Sequence, residues 1–196
     1  MESVTIELGF DESERAQVGT LYWEAFRQKL GLAFSSAEVG LRVLRAALRS
    51  DRVLVGRSED AVVGVCGFYA NGIGAADLTW RSLRGIQSVG QALRSVLVLS
   101  VLGRSEKKGT LVLDGICVDA NQRGAGIGTA LLDAAERYAR QEGLSSVRLS
   151  VIDRNPRAEA LYQRRGFRPV DAGSMGVLGY VYGFDRYTVM EKKLTP

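Results

Sequence analysis

The sequence predicts an α/β fold that forms a single domain over residues 1–196. Short segments rich in β-branched residues alternate with longer segments whose apolar residues recur at helical spacing. A chain of 196 residues with a hydrophobic content of 46% can bury one full core. The sequence shows neither an internal repeat nor a linker that would mark a second domain.

The first part of the chain predicts three strands and two helices. An alternating strand covers residues 4–10, and helices with apolar stripes cover residues 13–30 and 36–49. Two further strands, at residues 52–57 and 61–69, are close enough in sequence to form a hairpin.

The segment after the hairpin is less regular. Residues 71–76 are rich in glycine and predict a mobile loop. Residues 79–102 carry apolar residues at helical spacing, but Gly85 and Gly90 weaken this helix and favour a break in it. Four more strands are predicted after this segment, at residues 112–118, 147–153, 167–172 and 184–193. A helix follows each of the first two, and the last two follow one another directly.

Residues 119–129 join a strand to a helix and contain three glycines at every second position, Gly124, Gly126 and Gly128. The first turn of a helix has unpaired N–H groups and a positive dipole end, and glycine lets an anion approach the backbone closely. The segment therefore predicts a site for a phosphate-bearing cofactor. A glycine-rich connection that binds no ligand would show the same pattern.

The spacing of the glycines separates three known phosphate-binding motifs. A nucleoside-triphosphate loop requires a lysine directly after its last glycine, where this chain has Thr129. A dinucleotide-binding turn requires Gly-x-Gly-x-x-Gly, which this segment does not contain. A third pattern, Arg/Gln-x-x-Gly-x-Gly/Ala, is matched by Arg123, Gly126 and Gly128.

A second motif follows the strand at residues 147–153. Pro156 suits the first position of a helix, and Asn155 suits its cap. The pattern Asn-x-x-Ala-x-x-Leu-Tyr-x-x-x-Gly-Phe is matched in register by Asn155, Ala158, Leu161, Tyr162, Gly166 and Phe167. In both motifs the chain resembles the GCN5-related N-acetyltransferase (GNAT) superfamily.

This resemblance implies a mixed, largely antiparallel central sheet flanked by helices, with acetyl-CoA bound as cosubstrate through its pyrophosphate at the glycine turn. Relative to the family pattern, residues 71–108 add a helical segment before the fourth strand. That segment is either a packing layer or homodimer contact, or a wall or lid over the acceptor pocket. The residues that the resemblance assigns to cosubstrate binding are Ile116, Cys117, Val118, Arg123, Gly124, Ala125, Gly126, Ile127, Gly128, Thr129, Asn155 and Tyr162.

The implied reaction, acetyl transfer to an amine, requires a base or a water chain because alkyl amines are mostly protonated at neutral pH. Asp114 is the candidate base: it is a carboxylate in an apolar strand, and strict alternation places it on one face with Ile116 and Val118. A structural role, bonded to a neighbouring backbone or arginine, is the alternative. The resemblance implies that Tyr162 acts as general acid, although Tyr162 could instead be a packing residue.

Aromatic residues are the candidates for the wall of the acceptor pocket, although each could equally belong to the core. They are Tyr22, Trp23, Phe26 and those of a loop at residues 175–182, which includes Tyr180 and Tyr182. The net charge of +4 disfavours polycationic acceptors, unless carboxylates line the cleft. The candidates for such carboxylates are Asp77, Asp114 and Asp185.

Composition excludes several other functions. With no histidine in the chain, Ser-His-Asp and Cys-His chemistry and histidine-bearing metal sites are excluded, and no metal is predicted. Cys66 and Cys117 lie in apolar runs and predict buried thiols. No nucleic-acid-binding module is recognisable. The longest apolar patch, residues 96–102, is too short to cross a bilayer, and no signal segment is seen, which predicts a cytoplasmic protein.

Five arginines surround the second motif, and they form either a basic rim for the phosphates of CoA or a solvated helix face: Arg154, Arg157, Arg164, Arg165 and Arg168. Taken together, the sequence predicts an acetyl-CoA-dependent N-acetyltransferase that acts on a primary amine of a small molecule or peptide. The alternative is an acyl-CoA-binding sensor that keeps the fold without turnover. Both need the glycine turn, but only the enzyme needs Tyr162 and a base.

Overall fold

A seven-stranded mixed sheet forms the centre of the computed structural model, which describes residues 4–59, 61–70, 72–100, 107–176 and 179–195. The strands are β1 Thr5–Leu8, β2 Val53–Ser58, β3 Ala61–Tyr69, β4 Thr110–Val118, β5 Ser146–Ile152, β6 Arg168–Ser174 and β7 Arg186–Lys193. The helices are α1 Arg15–Leu30, α2 Ala37–Ala47, α3 Trp80–Arg84, α4 Val89–Ser100, α5 Ile127–Gln141, α6 Pro156–Arg164 and α7 Gly179–Tyr182.

The sheet has the strand order β1-β2-β3-β4-β5-β7-β6. Its neighbouring strands are antiparallel except for β4 and β5, which run parallel. The mixed, largely antiparallel sheet that the resemblance implied is therefore confirmed. The β4–β5 pairing joins Thr110 to Ser146, Leu111 to Val147 and Val112 to Arg148, and within the described residues it extends no further.

Each face of the sheet buries its own apolar cluster. On one face, α5 and α6 pack on the central strands through residues such as Leu131, Leu132 and Tyr162. On the other face, α1 and α2 pack through Val18 and Leu44, together with residues of the segment that precedes β4. Burial of such side chains removes apolar surface from water, which is the main force that holds both helical layers on the sheet.

Two helix caps are seen in the structure, and the one at Asn155 was predicted. The Ser36 hydroxyl accepts a hydrogen bond of 3.2 Å from the N–H of Val39 at the start of α2. The side-chain oxygen of Asn155 accepts one of 3.2 Å from the N–H of Ala158, and Pro156 begins α6. Each cap satisfies a backbone donor that the first helical turn leaves without a partner.

The segment before β4 agrees with one expectation and differs from another. The helical segment at residues 79–102 is split into α3 and α4, with Gly85 closing α3 as its low helix propensity favoured, while residues 101 and 102 lie outside the described residues. Residues 72–76 are not a loose loop: Ala75 is fully buried, and its carbonyl accepts a hydrogen bond of 2.9 Å from the N–H of Arg49. Asn71 also lies outside the described residues.

Hydrogen bonds tie helix α4 to its surroundings. The buried Ser95 hydroxyl donates to the Ala33 carbonyl at 2.5 Å, and the Tyr182 hydroxyl of α7 donates to the Val98 carbonyl at 3.0 Å. Its outer side exposes Val89, Leu93 and Leu97. In the parts of the chain that the structure describes, every helix is too short or too polar to cross a membrane.

Candidate active site

The candidate site lies where β4 and β5 separate. Beyond Val112 and Arg148 the two strands no longer pair, while β4 continues to pair with β3 as far as Val118. Residues 113–118 therefore form one side of an opening in the centre of the sheet. A backbone edge without a neighbouring strand presents N–H and C=O groups that a ligand can use.

A β-bulge places Asp114 at this opening. Gly67 of β3 is opposite Gly115, and Phe68 is opposite Leu113, so Asp114 is the extra residue of the bulge. The extra residue reverses the alternation of β4: Ile116 and Val118 pack on the α5 side. Asp114 instead lines a cavity on the α1 side. The prediction that Asp114 shares a face with Ile116 and Val118 is therefore wrong.

Helix α1 approaches the bulge closely because two glycines face it. A Cβ atom at Gly67 would lie 2.7 Å from the Tyr22 hydroxyl oxygen, and one at Gly115 would overlap the ring of Phe26. The rings of Tyr22 and Phe26 pack with their centroids 4.8 Å apart. The close approach lets the Tyr22 hydroxyl donate a hydrogen bond of 2.7 Å to Oδ2 of Asp114.

A cavity of about 690 Å³ opens from Asp114 towards the protein surface. Its wall contains five aromatic side chains, three carboxylates and one guanidinium: Tyr22, Phe26, Tyr69, Phe184, Tyr187, Asp77, Asp114, Asp171 and Arg148. The volume is that of a small-molecule site, and apolar walls with a few polar groups are typical of such sites.

The predicted pocket residues divide into two groups. Tyr22, Phe26 and Met175 line the cavity. Trp23 does not, because it packs inwards against Phe34 with ring centroids 6.1 Å apart. Tyr180 is 95% exposed, and Tyr182 is buried against α4.

Helix α4 takes part in the cavity wall through Val96 and Leu99. The segment before β4 was expected to be either a packing layer or homodimer contact, or a wall or lid over the acceptor pocket. The structure shows that it forms a wall beside the predicted acceptor pocket. The role as a homodimer contact stays a prediction for the exposed side of α4.

The sequence reasoning missed several cavity residues, although one of them carried a signal. Arg148 is a charged residue in the alternating apolar strand β5, the same kind of signal that singled out Asp114. Its guanidinium lies 3.8 Å from Glu191, which also accepts a hydrogen bond of 2.9 Å from Lys107. Burial raises the pKa of Glu191, but the Lys107 hydrogen bond and the charges of Lys107 and Arg148 outweigh it and lower that pKa overall.

The glycine turn at the end of β4 has the geometry of an anion site. Gly124 and Gly126 have φ angles of +92° and +85°, and a Cβ atom at either would point into open space. Gly126 is also the N-cap of α5 and offers no side-chain cap to the first helical turn. Such a terminus leaves N–H groups directed outwards, so the residues present fit a pyrophosphate group.

The two sequence motifs meet at this turn. A Cβ atom at Gly128 would lie 3.3 Å from Leu161 of α6 and 3.9 Å from Val118 of β4. Next to Leu161, Tyr162 is 8% exposed and packs on Phe167 with ring centroids 6.0 Å apart. The end of β4, the turn and α6 are therefore neighbours, whereas the Asn155 oxygen is engaged as the cap of α6.

The arginines near the second motif have different surroundings. Arg165 forms an ion pair with Asp133 of α5, and Arg154 donates a hydrogen bond of 2.9 Å to the Gly183 carbonyl. These two therefore hold elements together, whereas Arg157, Arg164 and Arg168 are exposed. Arg123, at the turn, donates through Nε to the Val118 carbonyl at a long 3.4 Å.

Both cysteines are buried, as predicted. Burial raises the pKa of the Cys66 thiol to about 12. Burial also raises the pKa of the Cys117 thiol. Neither sulfur is a thiolate near neutral pH, so neither is suited to act as a nucleophile.

Comparison with known proteins agrees with this geometry. The acetyltransferase (GNAT) family matches residues 15–167. Mycothiol acetyltransferase of Beutenbergia cavernae is 45% identical over 53 residues, which are 27% of this chain and 18% of that protein. The chain thus spans about a fifth of the length of that relative.

Solved structures share the fold at low sequence identity. An N-acetyltransferase from Staphylococcus aureus Mu50 superposes with a TM-score of 0.73 at 18% identity, over 96% of this chain and 100% of that chain. An acetyltransferase from Bacillus anthracis str. Ames, solved in complex with acetyl coenzyme A, superposes with a TM-score of 0.50 at 12% identity, over 73% and 63% of the two chains. Because the family match covers most of its length, the chain belongs to the acetyltransferase (GNAT) family.

Proposed function

We propose that this chain is an N-acetyltransferase that transfers the acetyl group of acetyl-CoA to a primary amine. The observation that carries this proposal is the position of Asp114 at the opening between β4 and β5, with the amine cavity on one side. Family membership supports acetyl transfer in general. The proposal includes an amine as the acceptor and direct attack by that amine in a ternary complex. It also includes the view that one domain carries both the cosubstrate site and the acceptor site.

The residues of the turn would hold the cosubstrate. Acetyl-CoA supplies an acetyl group activated as a thioester. The backbone N–H groups at the start of α5, with Arg123 beside them, are suited to bind its pyrophosphate. The backbone of residues 116–118 would hold the pantetheine arm and donate to the thioester oxygen as negative charge develops there.

Asp114 is the proposed base. The neutral amine of the acceptor forms an N–C bond to the acetyl carbon while the C–S bond breaks, and the nitrogen, which keeps one hydrogen in the amide, loses one proton. Asp114 can accept that proton, directly or through one water molecule. The hydrogen bond from Tyr22 holds the carboxylate in one orientation, which makes Tyr22 a positioning residue.

Tyr162 is the proposed acid. The departing thiolate needs a proton, and a phenol could supply it. Tyr162 directly follows Leu161, the α6 residue that lies beside Gly128 of the turn. The ring of Tyr162 packs on Phe167, with the ring centroids 6.0 Å apart.

Two measurements on the purified chain test the proposal. Acetyl-CoA should raise the melting temperature, and incubation with acetyl-CoA and a panel of primary amines should release free CoA thiol. A thermal shift without thiol release on any amine would favour a sensor over an enzyme. If acetyl-CoA, CoA and longer acyl-CoAs all leave the melting temperature unchanged, the cosubstrate site itself is wrongly assigned.

A further inference from the structure

We infer that the molecule that fills the cavity is a small amine with a second positive charge, of the α,ω-diamine class. This inference rests on the proposed function for its chemistry, and it identifies the acceptor class. The evidence for this acceptor class is the size of the cavity, the charged groups on its wall and the aromatic side chains between them.

The charge of the cavity is opposite to that of the whole chain. The chain carries a net charge of +4, yet the cavity wall has three carboxylates, Asp77, Asp114 and Asp171, against one guanidinium, Arg148. Glu191 lies 3.8 Å from that guanidinium and is also paired with Lys107 at 2.9 Å. Since the field inside a concave site is focused by its low-dielectric walls, this arrangement attracts cations. The expectation from net charge, that polycationic acceptors are disfavoured, does not hold inside the cavity.

The carboxylates lie at different depths and on different elements. Asp114 is deep, beside a Tyr22 side chain that is 3% exposed. Asp171 is exposed on the edge strand β6, and Asp77 lies in the segment that follows residues 72–76. An amine group that is placed at Asp114 for reaction thus leaves Asp77 and Asp171 to bind a second positive charge. Asp185, predicted to contribute, is not part of this wall, and Asp171 takes that place.

The wall between the carboxylates suits a hydrocarbon chain. Tyr69, Phe184 and Tyr187 add to the rings of Tyr22 and Phe26, and aromatic faces accommodate both methylene groups and ammonium ions. The volume of about 690 Å³ suits a small molecule better than a folded protein substrate. A diamine satisfies all three features: two charges, an apolar spacer and small size.

Three probes of the same chain length test the charge requirement. They are 1,4-diaminobutane, n-butylamine and 4-aminobutanoate, which differ in carrying a cationic, a neutral or an anionic second end. Thiol release with acetyl-CoA should give a kcat/KM for the diamine at least tenfold above that for butylamine, with 4-aminobutanoate lowest. Equal values for the diamine and butylamine would overturn the inference. Preference for 4-aminobutanoate would also overturn it, and would assign Arg148 as a carboxylate-binding group.

An isosteric pair of variants locates the second charge. Asp171→Asn should lower the ratio of kcat/KM for diaminobutane to that for butylamine at least fivefold. Asp185→Asn, between α7 and β7 and outside the cavity wall, should change this ratio less than twofold. If both variants change the ratio equally, the preference comes from general charge and not from this cavity.

Calorimetric titration of diaminobutane separates this inference from the proposed function. The diamine should bind the chain at least tenfold more tightly than butylamine, and Asp171→Asn should remove most of that difference. If no amine releases thiol but the diamine still binds in this way, the proposed enzyme activity fails while the ligand class stands. If thiol is released from monoamines but the diamine binds no better than they do, the enzyme activity stands and the ligand class fails.

Discussion

The hydroxyl of Tyr22 donates a hydrogen bond of 2.7 Å to Oδ2 of Asp114, a residue 92 positions away in the sequence. The contact joins α1, the first helix, to the bulge in the central strand β4. It is formed because Gly67 and Gly115 leave room for the rings of α1 on the sheet. The first prediction concerns this pair.

Tyr22→Phe should lower kcat/KM about 10–150-fold, because a hydrogen bond to a charged acceptor contributes about 1.5–3 kcal/mol. Asp114→Asn should lower it by a factor of about 10²–10⁴, the range expected for loss of a general base. The double variant should be no worse than Asp114→Asn alone, since Tyr22 acts through Asp114. Steady-state thiol release by the parent, the two single variants and the double variant gives the coupling free energy between the two side chains. Losses that simply add would show that the two side chains act independently.

Tyr162→Phe should reduce kcat by a factor of about 10²–10⁴ through loss of the proposed proton donor. The dissociation constant of acetyl-CoA should change less than about threefold, because the ring and its packing on Phe167 are retained. Kinetics and calorimetric titration measure the two quantities. Tyr180→Phe, at a residue that is 95% exposed, is the control and should resemble the parent protein. An undiminished kcat in Tyr162→Phe would reject this residue as the acid.

Gly126→Val should abolish detectable binding of acetyl-CoA, because it adds a side chain at the N-cap where the pyrophosphate is expected. Gly143→Val is the matched control: Gly143 also has a positive φ, +68°, and open space around its Cβ position, but it lies beyond the opposite end of α5. Both variants should lose about 1–2 kcal/mol of stability from the left-handed backbone. Calorimetry with acetyl-CoA should distinguish them; equal affinities in the two variants would mean that the turn is wrongly assigned.

Gly115→Ala should destabilise the protein by about 1–3 kcal/mol, since its new methyl group overlaps the ring of Phe26. The same substitution in a Phe26→Leu background should cost clearly less, because the atom at the tip of the ring is then absent. Urea denaturation of the four proteins measures both costs. If Gly115→Ala lowers stability equally in the parent and in the Phe26→Leu background, the strain does not come from contact with the ring of Phe26.

Glu14→Gln should remove part of the pH dependence of stability. Hydrogen bonds of 2.6 and 2.8 Å from Arg57 lower the pKa of Glu14 from 4.5 to about 2, although burial opposes this shift. A carboxyl whose folded pKa is depressed stabilises the fold above its unfolded pKa, and that contribution is lost as pH falls towards the folded pKa. The difference in unfolding free energy between parent and variant should be roughly 2 kcal/mol at pH 7, after screening by solvent is allowed for.

This difference should shrink steadily as pH is lowered from about 5 to about 2. Urea denaturation at several pH values in that interval follows it. Other paired carboxylates, such as Glu191, contribute to the acid slope of both proteins and cancel in the comparison. A difference that does not vary with pH would show that the Arg57 contact is not what lowers the pKa.

Local signals allowed most of the helices and strands to be predicted. Ser36 and the pair Asn155–Pro156 mark helix starts through contacts with backbone only three residues away, so each signal is complete in a short stretch of sequence. The break at Gly85 was also foreseeable, because glycine lowers helix propensity wherever it stands. The roles assigned to the cosubstrate-binding residues remain predictions.

Features that depend on pairing between distant segments could not be predicted. The bulge arises from the register between β3 and β4, and strict alternation therefore assigned Asp114 to the wrong face. Tyr22 and Trp23 are adjacent in α1, yet one lines the cavity and the other packs on Gly40 and Phe34. Which of two neighbouring aromatic residues faces a ligand is decided by how the helix lies on the sheet.

Strand β4 can be considered without its extra residue. Leu111, Leu113, Ile116 and Val118 then form one unbroken apolar row, and Val112, Gly115 and Cys117 form the opposite row. Asp114 belongs to neither row, so the carboxylate is an insertion in a strand that would be regular without it. The carboxylate and the folding pattern of this strand are thus separable, and deletion of residue 114 should leave both packed faces intact while it removes the proposed base.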